Sequence, residues 1–446
     1  MAEQEIINPN NTVFVLLSFE GPDTYAQAGG LGVRVTHLAQ TLALAGYETH
    51  LIFVGDPHKP GEERRCQGRL VLHRWCQWIS KYHPSGVYAG ENEKLYDFND
   101  TVPWFVMEQI VEPAAQRGKL AVVLGEEWHT AETMCRLSDA LYEQGLRDRT
   151  VSFWNANNTM GFHRIDWDRL AFTTTITTVS RYMKHIMWQM GLNPLVIPNG
   201  IPEQMLKPVS KKPVAKLRDA LGGDLVLFKV GRWDPAKRWL MAIEAAARLK
   251  TLGIRVVFPV RGGVEAHGGE VMNHAHTTGL RIAHVDGGPL SNWQECINRI
   301  EKAGPADLLN LSFFIPQSLL PIFYAATDVV LANSGHEPFG LVGLEAMASG
   351  GVVFTGCSGE DYAVPMKNAM VLETDDPEEL VEGILYLQTH PQEKERLRRE
   401  AKRTAKQFTW PRIVANLVNK ATYLAHKQNA LPATQSYTPP IPMVAG

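Results

Sequence analysis

Two carboxylates and two cations stand out in the second half of the chain. Glu337 and Glu345 lie eight residues apart within His336 to Gly351, H-E-P-F-G-L-V-G-L-E-A-M-A-S-G-G. Arg232 and Lys237 fall in an earlier stretch, G-R-W-D-P-A-K-R, from Gly231 to Arg238. Between the glutamates, Gly340 lets a backbone approach a ligand closely. The N–H groups of Gly340, Leu341 and Val342 open a helix there, and with its dipole they make an anion site. Carboxylates beside an anion repel it, unless they accept hydrogen bonds from hydroxyl groups carried by the same ligand. The pattern therefore suits a phosphate ester rich in hydroxyls. Glu345 shares a helix face with Leu341 and Ala348 and should point inward, where a carboxylate is costly unless something donates to it.

The elements that position these groups are legible as apolar runs. Asp328–Ala332 reads as a strand before the polar turn at Asn333 to Gly335, and Val352–Phe354 as a strand after the helix. Leu225–Val230 reads as the strand that delivers Gly231. Further strands are expected at 255–260, 280–285 and 309–314, with a helix at about 292–302. A charged helical stretch runs from Pro377 to Thr404, and a last helix from Pro411 to about His426.

In the first half, a strand at Val13–Phe19, a glycine-rich loop to Gly32, a helix to Ala45 and a strand at Glu48–Val54 form a βαβ unit. Gly29, Gly30 and Gly32 do not spell G-x-G-x-x-G, so the dinucleotide fingerprint is absent. Strand signals return at 120–124, 150–154, 174–179 and 195–197. Residues 57–119 read poorly. Their aromatics, Trp75, Trp78, Tyr82, Tyr88 and Tyr96, suit either an acceptor groove or an insertion packed on itself.

The 446 residues exceed one typical core and suit two domains. A composition of 45% apolar and 20% charged residues with net charge −3 gives no reason to expect nucleic acid or an anionic membrane as partner. No stretch reads as a membrane span or signal peptide. Five cysteines without C-x-x-C spacing point to free thiols in a reducing cytoplasm and to no structural zinc.

The E-P-F-G-L-V-x-L-E-A-M-A-x-G pattern resembles the retaining GT-B glycosyltransferases of the glycogen-synthase and sucrose-synthase-like group, the glycosyl transferases group 1 family. The resemblance covers nearly the whole chain, densest from Leu225 to about Leu380. It implies that Glu337 meets the donor sugar, Glu345 holds the ribose, and Arg232 with Lys237 neutralises the donor diphosphate. It also implies donor contacts from Gly30 in the A-G-G-L-G loop, from Gly231, and from Phe339, Gly340, Leu341 and Val342. G-E-E-W-H-T at Gly125 to Thr130 is similar to the family's D-W-H-T/A segment, which makes His129 a catalytic candidate. Asn155 stands where the family has a histidine. An amide still bonds a sugar hydroxyl but carries no proton. Pro198-Asn199-Gly200-Ile201 and Phe408-Thr409-Trp410 resemble the family's hinge and crossover turns.

The implied architecture is α/β, two Rossmann-like domains facing across a cleft. The first is expected at 1–201, with 411–430 crossing back to it. A linker follows at 202–213, then a nucleotide-sugar domain at 214–410 and a loose tail at 431–446. The implied activity moves a hexosyl group, glucosyl in the first instance, from a UDP-, ADP- or GDP-hexose to a sugar, glycan or small polyol, with retention and without cofactor or metal. A sugar-nucleotide epimerase or hydrolase of the same fold and a non-catalytic sugar-nucleotide-binding regulator are the alternatives. Glycan phosphorylases are far longer and carry a cofactor-bearing lysine segment not found here.

Overall fold

A computed structural model describes residues 7–430. The expected tail at 431–446 lies outside the described residues. These residues form two compact units. One comprises 7–178, 191–197 and 413–430; the other comprises 179–190 and 198–412.

The first unit is built on an eight-stranded sheet. Its strands are β1 (Thr12–Leu17), β2 (Glu48–Val54), β3 (Glu62–Arg65), β4 (Leu70–Trp75), β5 (Leu120–Glu126), β6 (Thr150–Ala156), β7 (Thr175–Thr178) and β8 (Leu195–Val196). They lie in the order β3-β4-β2-β1-β5-β6-β7-β8, all parallel except the β3–β4 pair. Residues 57–119 therefore add a hairpin to the sheet edge, followed by the helix Glu91–Val106. Every residue of β1, T-V-F-V-L-L, is buried, as a parallel strand covered on both faces requires.

The second unit carries seven parallel strands. They are β9 (Leu225–Val230), β10 (Val256–Arg261), β11 (Ile282–Val285), β12 (Leu308–Leu311), β13 (Val329–Ala332), β14 (Val353–Thr355) and β15 (Met370–Val371). Their order is β11-β12-β10-β9-β13-β14-β15. The order reverses between β9 and β13, and ligands of open α/β sheets bind outside the carboxyl ends at such a switch point. The core beneath it packs Leu227, Trp239, Phe258, Leu331, Phe354 and Leu380.

The charged stretch after Pro377 forms two helices, Pro377–Thr389 and Pro391–Ala405. The first of them buries Leu380, Val381, Ile384 and Leu387 despite the charges around them. The stretch expected as a linker contains a 3-10 turn, Glu203–Leu206, and opens the helix Lys211–Leu221. The two family-like turns meet: Ile201 N–H donates to Phe408 O at 2.8 Å, and Trp410 N–H to Ile201 O at 3.1 Å. Gly200 is required there, since a Cβ would lie 2.7 Å from the Trp410 ring. No helix among the described residues is long and apolar enough to cross a membrane.

Candidate functional site

In the second unit, the ends of β9 and β13 deliver the groups singled out from the sequence, and the loop after β14 packs against them. After β9, Asp234 accepts from Ala236 N–H at 2.9 Å and closes the 3-10 turn Pro235–Lys237. After β13, Gly335 N–H donates to Ala236 O at 2.8 Å and ties the two loops together. After β14, Ser358 Oγ accepts from Glu337 N–H at 2.9 Å. A Cβ on Gly359 would lie 2.1 Å from Glu337 O, so backbone packs directly on backbone there. The result is one compact group around Lys237, Glu337, Gly340 and Glu360.

Within that group, Lys237 Nζ donates to Glu337 Oε2. Arg232 is different. Its side chain is 70% exposed and only approaches Asp234, at 3.6 Å. Beneath the loops, Lys229 is buried in β9 and donates to Asn333 Oδ1 at 2.5 Å. Burial holds its ammonium well below the usual lysine range, with Lys237 adding to the effect.

Gly340 adopts left-handed dihedrals, φ 68° and ψ 57°, and opens the helix Leu341–Ala348 without any side-chain cap. Its first N–H groups are thus left for a ligand, as the sequence implies. Phe339 is in the right stretch, but its side chain packs into the core against Tyr362 and Phe408, so only its backbone can serve a donor. Glu345 points inward and is partly buried among dense packing. Tyr324 donates to its Oε2 at 3.2 Å, and burial pushes its carboxyl up to about 7.

In the first unit the expected residues lie at the carboxyl ends of β1, β5 and β6, but several are already engaged. The helix after the glycine loop begins at Gly30, not Val33. Glu20 Oε2 accepts from the N–H groups of Ala28, Gly29 and Gly32, at 3.2, 3.0 and 3.0 Å. The loop's anion-binding concavity is therefore filled by a carboxylate of the chain itself. Gly30 has open space around it, whereas a Cβ on Gly32 would lie 3.1 Å from Glu20 Oε2.

Asn155 is not on a loop. It is buried in β6, donates to Glu126 Oε2 at 2.9 Å and accepts from Thr177 Oγ1 at 2.9 Å. Asn157 and Asn158 likewise hold Glu126 and Glu127. His129 is 4% exposed, stacks on Phe19 with ring centres 4.3 Å apart, and pairs through Nε2 with Glu91 at 2.9 Å. Burial pushes its imidazole down to about 4, which keeps it neutral.

Sequence reasoning missed the carboxylates that hold this region. Glu126 is buried and accepts from Arg34 Nε at 3.1 Å. Glu127 is buried with φ 67° and ψ 167°, backbone that side chains rarely adopt, and burial pushes its carboxyl up to about 8. Strained, buried acids of this kind cluster at functional sites. The signal available was G-E-E-W-H-T itself, in which only the histidine drew notice.

Residues 216–404 match the family model described as Glycosyl transferases group 1. Over these residues the second unit is similar to the group 1 glycosyltransferases. The matched residues include Arg232, Lys237, Glu337 and Glu345. A D-inositol 3-phosphate glycosyltransferase from Geodermatophilus obscurus is 27% identical over 322 residues, 70% of this chain and 64% of that protein. The chain thus spans less than two thirds of that relative's length. Among solved structures, sucrose-phosphate synthase from Thermosynechococcus elongatus aligns with TM-score 0.65 and 17% identity, covering 94% of this chain and 100% of the other. The catalytic domain of starch synthase IV from Arabidopsis thaliana, bound to ADP and acarbose, aligns with TM-score 0.63 and 16% identity over 93% and 99%. At such identities the likeness is one of fold, the GT-B class of two Rossmann-like units.

Proposed function

We propose that the protein transfers a hexosyl group from a nucleoside diphosphate sugar to a hydroxyl of a sugar or polyol, with retention at the anomeric carbon. The observation that carries the reading is the convergence of the Lys237–Glu337 pair, the uncapped helix mouth at Gly340 and the inward Glu345 at the ends of the adjacent strands β9 and β13. Lys237 faces the leaving diphosphate as its charge grows, and the N–H groups of Leu341 and Val342 share that charge. Glu345 accepts from the ribose, and Glu337 from the sugar. The acceptor oxygen bonds to the anomeric carbon on the face the phosphate leaves, and the departing phosphate oxygen takes the acceptor proton. The protein's own part is positioning and charge stabilisation.

In the first unit, an open pocket of about 570 Å³ lies beside the glycine loop, with Tyr25, Gln27, Asp56, His58, Ser85 and Tyr88 on its walls. These groups suit a polyhydroxylated acceptor. In this reading protein groups meet the diphosphate charge, so turnover is expected to persist in EDTA.

The test is a thermal-shift screen of UDP-, ADP- and GDP-hexoses, followed by NMR of the product's anomeric configuration. A donor at a hundred times its dissociation constant should stabilise the fold by about 2.7 kcal/mol. Silence from every donor, or hydrolysis of the donor alone at the full rate, would overturn the transferase reading.

A further inference from the structure

Glu360 has no part in the mechanism above, yet it lies against the helix mouth. It follows β14 and is 5% exposed. A Cβ on Gly340 would sit 2.7 Å from Glu360 Cγ and 3.0 Å from its Oε1, so the carboxyl fills the space beside the first turn of Leu341–Ala348. Oε1 meets no hydrogen-bond partner among the described residues. The one side chain that meets Oε2 among the described residues is Ser358, whose Oγ donates at 3.5 Å. A buried carboxylate so poorly supplied with donors is costly.

Its surroundings do little to relieve that cost. Glu337 faces it from the loop after β13, and Lys237 from the turn after β9, but those two charges pair with each other. Tyr182, on the helix Arg181–Trp188, lies near enough to feel the carboxylate and hydrogen-bonds to His336 Nδ1 at 3.1 Å. On its own loop, Asp361 is occupied by Arg181 N–H at 2.7 Å, and Tyr362 OH donates to Gly340 O. The N–H groups of Ser358 and Glu360 itself provide a weak offset.

We propose that Glu360 is a donor-binding residue that works as the neutral acid: a diphosphate captured at the helix mouth is bound together with a proton on Glu360, whose hydroxyl is then free to donate to it. The inference rests on the donor reading of this site. The ionised form would set a second, unpaired negative charge beside an anionic ligand, whereas the acid removes that charge and supplies a donor where Oε1 has none. Burial, with Glu337 adding to it, holds the free carboxyl up at about 8. An anion beside it raises the value further. Below that range the proton is already in place and none is exchanged on binding. Above it the free protein is ionised, and binding must take a proton from solvent.

The experiment is calorimetric titration of the full chain with UDP, ADP and GDP, each in two buffers of different ionisation enthalpy. Near pH 9, about one unit above the free value, uptake should approach one proton per ligand bound, and affinity should fall up to about tenfold per pH unit. Near neutrality the uptake due to Glu360 should vanish, leaving only the exchange at Glu345, which Glu360→Gln shares. Glu360→Gln keeps the shape and a donor, so it should bind with near wild-type affinity at neutral pH, without uptake near pH 9 and with a flatter pH profile. Nucleotide binding without proton uptake near pH 9 overturns this inference alone, a result the wild-type chain gives even where the variant fails to fold. Uptake near pH 9 that persists in Glu360→Gln overturns it too. Absence of binding by all three nucleotides overturns the donor reading and this inference together.

Discussion

The Lys237 ammonium donates to Glu337 Oε2, joining two loops a hundred residues apart in sequence. The cation that the resemblance assigns to the donor diphosphate is thus held in advance by the carboxylate assigned to the donor sugar. The pair positions both groups before a ligand arrives, which lowers the reorganisation needed at the moment of reaction.

Lys237→Ala removes that cation from a short turn, not from a core. Turnover should fall about 100- to 1000-fold, the usual loss for one preorganised electrostatic stabiliser. Lys237→Arg should recover only part of it, because a planar fork presents its donors differently from a point charge. Turnover with a matched donor and acceptor, with circular dichroism as folding control, measures this. Retention of more than about a third of the wild-type rate would show that the lysine does not face the reacting diphosphate.

Glu345→Gln should act on pH dependence as well as on binding. Burial raises the folded-state value to about 7 from an ordinary 4.5. Between those values the folded chain holds a proton that the unfolded chain has lost, so this group's contribution to stability declines as pH rises through the window and levels off above about 7. The variant should therefore gain in melting temperature relative to wild type from acid toward neutral pH. Nucleoside diphosphate affinity should drop by about 1 kcal/mol, the difference between a charged and a neutral acceptor for the ribose hydroxyl. A constant melting difference across the window would remove the burial account.

Gly340→Ala meets two obstacles at once. The position has φ 68°, and the new Cβ would lie 2.7 Å from Glu360 Cγ. The left-handed backbone alone costs about 1–2 kcal/mol. Denaturant titration should report a loss at least that large, with nucleotide binding weakened beyond it. A fully stable variant that binds normally would mean the helix begins differently in solution.

His129→Ala should behave as a core substitution. The ring is stacked between Phe19 and Trp128, and its Nε2 is paired with Glu91. Its folded value is pushed down to about 4 from 6.5, so the stability it contributes is present above about 6.5 and lost as pH falls toward 4. Replacing it should lower the melting temperature and flatten the acid limb of the stability curve. Activity lost without any change in stability would instead restore a catalytic role to the imidazole.

The parts of the fold that the chain displays plainly are its fully buried strands. Leu51–Val54 and Leu225–Phe228 are continuous apolar runs, and they are the buried parts of the strands Glu48–Val54 and Leu225–Val230. The edge strand Glu62–Arg65, E-E-R-R, shows no apolar pattern because an edge needs none and is blunted by charge. The helix His267–Thr277 is masked by Gly268, Gly269 and three histidines. In the site, spacing revealed Glu337 and Glu345 because one short loop and helix carry both. Glu20, Glu126 and Glu360 were hidden because their partners are distant in sequence: Tyr88, Arg34 and Gly340. Asn155 was misplaced because β6 runs two residues beyond its apolar stretch, on a polar network in place of apolar contacts.

Arg74, on the hairpin of the first unit, and Asp23, in the loop after β1, are both wholly buried and meet at 2.7 Å. Lys59 reaches the same carboxylate at 3.0 Å. Removing one partner of such a pair leaves an uncompensated interior charge, typically at about 3–5 kcal/mol. The segment 57–119 is therefore no detachable module. A shortened version, or a graft onto a related scaffold, must carry both ends of this pair or replace both with apolar residues. Any comparison of acceptor loops between relatives has to move Asp23 and Arg74 as a unit.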